Sequence, residues 1–135
     1  MSISVTGSSN APSDVYVGSY VGTGTYGSDN PISITFPFPV KAFFLVANKY
    51  SSSAYISPFM NASSNQYGNT YLPLDALTTS YQQKMQPSVY IMSGYPEKGY
   101  CKKSSDNKTI TWYNTQSAEY QRNYSGTTYY YYAIR

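Results

Sequence analysis

Ile32-Ser33-Ile34-Thr35-Phe36-Pro37-Phe38 sets four apolar side chains at every second position, with serine, threonine and proline between them. Side chains of an extended chain point alternately to opposite faces, so this spacing is that of a half-buried strand with Ile32, Ile34, Phe36 and Phe38 toward a core. Pro37 and Pro39 have no N–H to give a ladder, so the end of the strand lies at an edge or leaves the sheet. The run Val40 to Ala47 follows and is nearly all apolar. Both of its faces are too greasy for open water, and Phe44 and Val46 are expected in a core or an interface.

The same period recurs at both ends. Val15, Val17, Ser19 and Val21 share one face of a strand, and Tyr16, Gly18 and Tyr20 share the other. Thr127 to Ile134 carries Tyr130, Tyr132 and Ile134 on one face and Tyr129, Tyr131 and Ala133 on the other. Tyr130, Tyr132 and Ile134 are expected in the core or an interface, with Ile34, Phe36 and Trp112. A flat, tyrosine-rich edge would invite pairing with another chain, so this strand is expected in a sheet interior or at a subunit contact. In Thr109 to Tyr113, Ile110 and Trp112 oppose Thr109, Thr111 and Tyr113. Segments 53–60, 89–92 and 95–103 read as further strands, and 118–124 as a strand or irregular edge. The segment 71–86 carries Leu72, Leu74, Leu77, Tyr81 and Met85 between prolines and reads as a short amphipathic helix or a draped loop. Glycine- and serine-rich turns separate these pieces. The spacing predicts an all-β chain of roughly eight mainly antiparallel strands, a sandwich or jelly-roll-like fold with at most one short helix.

The length of 135 residues fits one domain. Residues 1–14 are small and polar and are expected to be an arm, loose by itself and suited to docking; residues 15–135 are the sandwich domain. Tyrosine occurs 18 times, and only 11% of residues are charged, against about 25% in an ordinary soluble domain. Hydroxyls and amides must supply the polar surface. The net charge is +3, and Lys98, Lys102, Lys103 and Lys108 are its one local concentration. No basic stripe runs elsewhere, so a nucleic-acid partner is not expected. No run of apolar residues is long enough to span a bilayer as a helix, and membrane insertion is not expected. The first nine residues have neither a basic nor an apolar leader segment, so no signal peptide is expected.

Several chemistries lack their residues. There is no histidine and a single cysteine, Cys101, so histidine-based nucleophile systems, zinc sites and an intrachain disulfide have no ligands or partners. The six carboxylates, Asp14, Asp29, Asp75, Glu97, Asp106 and Glu119, stand apart in the sequence. No enzyme activity, metal or cofactor is expected. The run Gly22-Thr23-Gly24-Thr25-Tyr26-Gly27 precedes no helix and lacks a Gly-Lys-Ser/Thr ending, so it reads as a turn or bulge. Tyr16, Tyr20, Tyr26, Tyr67, Tyr71, Tyr95 and Tyr100 are the candidates for surface recognition, because tyrosine offers large contact area with few rotors to freeze.

Two stretches resemble a β-rich domain of bacteriophage tail-fibre, tail-tip and other minor virion proteins. One is Gly18-Ser19-Tyr20-Val21-Gly22-Thr23-Gly24-Thr25-Tyr26-Gly27-Ser28, followed by Asn30-Pro31, the Ile32 to Phe38 strand and Pro39-Val40-Lys41. The other is Ile110-Thr111-Trp112-Tyr113, then Ser117-Ala118, then Asn123 to Ile134. The resemblance implies a non-enzymatic virion accessory, assembled in the host cytoplasm, with other virion proteins as partners, a homotrimer as the expected assembly and a bacterial surface glycan as the expected ligand. Capsid decoration, a head fibre or a collar protein is the alternative role.

Overall fold

The structure is a computed structural model that describes residues 1–6, 14–47, 69–83 and 99–135, with backbone alone for 46–47, 69–73 and 83. Among the described residues there are nine strands: β1 (Ser2–Ser4), β2 (Val15–Val21), β3 (Ile32–Thr35), β4 (Ala42–Ala47), β5 (Asn69–Pro73), β6 (Gln82–Gln83), β7 (Gly99–Lys103), β8 (Thr109–Asn114) and β9 (Thr128–Ile134). They form a five-stranded sheet in the order β1-β3-β8-β7-β6 and a four-stranded sheet in the order β2-β9-β4-β5. All pairings are antiparallel except β1 with β3.

The Ile32–Phe38 pattern behaves as its period dictates. Ile32, Ile34, Phe36 and Phe38 are all buried. The ladder ends at Thr35, two residues before Pro37, the first residue without an N–H to donate. Phe43 and Leu45 of the opposite sheet are also buried. Phe43 meets Trp112 across the sandwich with ring centroids 5.9 Å apart. Trp112 is fully buried, and its indole N–H donates to the Gln121 carbonyl at 2.8 Å. The ring therefore fills the core and its one polar atom is satisfied. Cys101 is buried in the same core.

The described part of the segment 71–86 holds no amphipathic helix: β5 runs to Pro73, a single 3₁₀ turn covers Leu74–Ala76, and β6 follows, with 84–86 outside the described residues. Leu74 and Leu77 are buried from that turn, so two of the leucines that suggested a helical stripe are inward without one. At the N-terminus the Met1 amine donates to the Pro31 carbonyl at 2.8 Å, and Ser2 to Ser4 pair with Ser33 to Thr35; residues 7–13 of the expected arm lie outside the described residues. Residues 118–122 form turns and 123–124 are irregular, so of the two readings of that segment the irregular one holds.

A correction concerns which faces of β2 and β9 point into the core. Tyr20, Tyr129, Tyr131 and Ala133 are buried, whereas Val17 is 62% and Tyr130 41% exposed. Tyr132 and Ile134 are half-buried. Tyrosine buries more apolar area than valine, provided its hydroxyl finds a partner. Here the Tyr20 hydroxyl donates to the Arg122 carbonyl at 2.9 Å, and the Tyr129 hydroxyl accepts the Tyr124 N–H at 3.1 Å. Gly18 makes the room, since a Cβ there would stand 2.3 Å from Cζ of Tyr131. Ile34, Phe36, Phe44 and Trp112 are buried as expected. For Val46 the backbone alone is described, paired with Tyr130 and Asn69. Segments 53–60 and 89–92, with Lys98, lie outside the described residues.

Candidate functional site

The outer face of the five-stranded sheet is built from residues that alternate with the core. On β8, Ile110 and Trp112 go inward, so Thr109, Thr111 and Tyr113 go outward. On β7, Gly99 and Cys101 go inward, which turns Tyr100 and Lys102 outward. On β3, Ser33 and Thr35 oppose Ile32 and Ile34. Strand register then lines these residues into cross-strand rows. Ser2, Ser33, Thr111 and Lys102 form one row, Ser4, Thr35 and Thr109 a second, and Tyr113 with Tyr100 a third.

Each row contains a side-chain contact. The Ser33 and Thr111 hydroxyls are 3.0 Å apart, and so are those of Thr35 and Thr109. Tyr100 and Tyr113 stack with centroids 4.9 Å apart and planes 16° from parallel. Tyr81, entering from the turn before β6, meets Tyr113 edge-on at 4.9 Å. The Lys102 ammonium lies 4.5 Å from the centre of the Tyr81 ring. Such cation–π contact steadies a long side chain that would otherwise sample many rotamers. Burial raises the phenol pKa of Tyr81, and Tyr113 beside it raises it further. Burial also raises that of Tyr113, with Tyr100 adding to it. Both rings therefore stay neutral at ordinary pH and serve as apolar surface with a hydroxyl tip.

Next to the aromatic trio is an open depression of about 540 Å³ lined by Thr79, Lys102, Lys103, Ser104, Ser105, Thr109 and Thr111. Its rim is the β7–β8 turn, which is tightly held. The Ser104 hydroxyl donates to an Asp106 carboxylate oxygen at 2.6 Å and accepts the Thr109 N–H at 2.9 Å. The Ser104 hydroxyl, with the Lys108 N–H, holds the Asp106 carboxyl below its usual range. Asn107 takes a positive φ of 60° to close the turn, a conformation asparagine tolerates better than most residues.

A second built region lies at one end of the sandwich, where the loop after β2 meets the loop after β8. The Asn123 amide accepts the Thr23 N–H at 3.0 Å and donates to the Thr25 carbonyl at 2.9 Å. The Gln121 amide accepts the Asn114 N–H at 2.8 Å and donates to the Asn30 carbonyl at 2.7 Å. Both amide side chains are fully buried, so they are used up in holding two loops together. Tyr26 is 46% exposed on this loop.

The expected recognition tyrosines therefore divide. Tyr100 and Tyr26 are at the surface, in different places. Tyr20 is in the core, which corrects its reading as a contact residue. Tyr16 points inward at the margin and packs on Phe38 with centroids 4.7 Å apart. Tyr71 pairs with Phe44 through the backbone, and Tyr67 and Tyr95 lie outside the described residues. Tyr81, Tyr113 and Lys102 complete the site without having been singled out as recognition residues. The alternation of Thr109, Thr111 and Tyr113 against Ile110 and Trp112 was the signal for Tyr113. Nothing local marks Tyr81, because its place depends on a turn and not on a strand period.

Among the described residues, no three His, Cys, Asp or Glu side chains gather where they could hold a metal ion. No described helix is long and apolar enough to cross a membrane. Comparison of the chain with protein-family models, curated proteins and solved structures gave no match.

Proposed function

We propose that the outer face of the five-stranded sheet binds glycan, and that the domain is a non-enzymatic attachment module of a virion. The observation that carries the binding role is the clustering of Tyr81, Tyr100 and Tyr113 beside rows of paired hydroxyls. Pyranose rings have an apolar face that lies on aromatic rings and a rim of hydroxyls that exchange hydrogen bonds with serine and threonine. A flat sheet face with both elements at adjacent registers suits an extended sugar chain. Tyrosine supplies that contact area at low entropic cost. The virion setting rests on the resemblance of residues 18–41 and 110–134 to phage minor virion proteins. The test is a glycan array and whole bacterial cells probed with the wild type, Tyr81→Ala and Tyr113→Ala. Binding that both substitutions abolish supports the reading; binding that neither alters refutes it.

A second reading, capsid decoration or a collar role, is favoured by the other sheet. Val15, Val17 and Val21 are exposed along β2, the outermost strand of its sheet among the described residues, beside exposed Tyr130. An apolar, uncharged edge is an adhesive surface. Localising the protein in intact particles by electron microscopy, with gel filtration of the isolated domain, separates the two roles.

A further inference from the structure

We infer that the glycan taken by this face is acidic, and that Lys102 anchors its anionic group at the junction between the tyrosines and the depression. The inference rests on the glycan-binding reading of the same face.

The lining of the depression combines two ammonium groups, Lys102 and Lys103, with five hydroxyls, and among the described residues it contains no carboxylate. A neutral sugar would leave both cations without use. The carboxylate nearest along the chain, Asp106, is drawn into its own turn by the Ser104 hydroxyl and the Lys108 N–H. Lys108 follows it by two residues, so three lysines stand against one carboxylate in the segment 102–111. The volume falls within the roughly 300–1,000 Å³ of ordinary ligand clefts.

Position sharpens the case. Lys102 shares a cross-strand row with Thr111 and Ser33, and its ammonium is held over Tyr81. A sugar ring laid on the tyrosines would carry its ring substituents toward the ammonium and the Thr109 and Thr111 hydroxyls. A carboxylate on that ring would meet a cation already steadied, so less freedom is lost on binding. Lys103 lines the same depression and adds longer-range attraction.

The test uses an immobilised set of acidic glycans, each beside its neutral counterpart: polygalacturonate and alginate with their methyl esters, and sialylated oligosaccharides with the desialylated forms. Inorganic polyphosphate serves as a polyanion without sugar rings. At least one acidic member is expected to bind up to about fivefold tighter than its neutral partner, the upper end for an exposed ion pair. That gap is expected to close between about 0.1 M and about 1 M salt, as the screening length falls from about 10 Å to about 3 Å. Lys102→Gln is expected to remove the gap between each acidic glycan and its neutral partner, with the circular dichroism spectrum showing the fold intact; Lys103→Gln is expected to narrow it. Neutral partners binding as tightly as acidic ones would overturn the inference and leave the glycan reading standing. So would a gap that survives Lys102→Gln. Polyphosphate binding as tightly as the best acidic glycan would overturn the assignment to a sugar. Binding to no member of the set would overturn both the reading and the inference.

Discussion

The Gln121 side chain bridges Asn30 and Asn114, two residues beyond the last paired residues of β3 and β8, Ile32 and Trp112, where the two strands have parted. Its carboxamide fills the gap as an extra link of the ladder. The side-chain oxygen takes the Asn114 N–H at 2.8 Å and the Gly27 N–H at 2.9 Å, and the nitrogen donates to the Asn30 carbonyl at 2.7 Å. Replacing Gln121 by leucine keeps the volume and removes all three bonds. Gly27 N–H retains the Asn114 carbonyl at 3.1 Å, and Asn30 is an exposed residue whose carbonyl can turn to water, so the one group stranded in the interior is the N–H of buried Asn114. At about 1–3 kcal/mol for an unsatisfied buried group, Gln121→Leu is expected to cost about 1–3 kcal/mol. For a domain of this size that is a fall of about 4–12 °C in melting temperature. Calorimetry or urea denaturation measures it. A loss below about 1 kcal/mol would refute the reasoning, because it would mean that the strands close up and satisfy each other without the bridge. Gln121→Glu sharpens the test. A protonated carboxyl can accept from Asn114 and donate to Asn30, whereas an ionised one sets an oxygen against the Asn30 carbonyl. The folded-state pKa of that glutamate is therefore raised above its unfolded value of about 4.3. Its stabilising contribution is present below that value and lost as pH rises through the folded-state value, so this variant is expected to be most stable in acid.

Gly22→Ala is expected to destabilise more than Gly18→Ala, since the new Cβ would stand 2.1 Å from the Tyr124 backbone oxygen in the first case and 2.3 Å from the Tyr131 ring in the second; equal denaturation midpoints would contradict this. Alkaline unfolding is expected to set in above pH 10, because burial holds the Tyr20 phenol well above its ordinary value of 10.0, so its stabilising contribution is intact below that value and lost as pH rises through the folded-state one. Tyrosine absorbance and circular dichroism titrated together would check it, and free ionisation of every tyrosine near pH 10 in the folded state would refute it. Val17→Lys puts a charge on the most exposed valine of β2 and is expected to change stability by no more than about 0.5 kcal/mol while reducing self-association in gel filtration.

The sheet containing β3 and β8 was legible because its two faces differ so sharply. Ile32, Ile34 and Phe36 oppose Ser33, Thr35 and Pro37, and only one arrangement buries apolar area. In β2 and β9 both faces are apolar, so alternation established a strand without saying which side was inward. The answer lay in tertiary detail: the absent side chain of Gly18, and hydroxyl partners for Tyr20 and Tyr129 more than four residues away. The aromatic site was half legible for the same reason. Tyr100 and Tyr113 follow from the strand period, but their meeting depends on the β7–β8 register, and Tyr81 arrives from a turn. The buried amides of Gln121 and Asn123 were not legible at all, because nothing in composition tells a solvated amide from one that bridges two loops.

Two-dimensional NMR, titrating labelled protein with the glycan it binds best, tests the proposed recognition face most directly. Shifts concentrated at Tyr81, Tyr100, Lys102, Thr109, Thr111 and Tyr113 are the predicted result. Shifts concentrated on the Tyr26 loop or along Val15 to Val21, with the Tyr100–Tyr113 stack undisturbed, would contradict it.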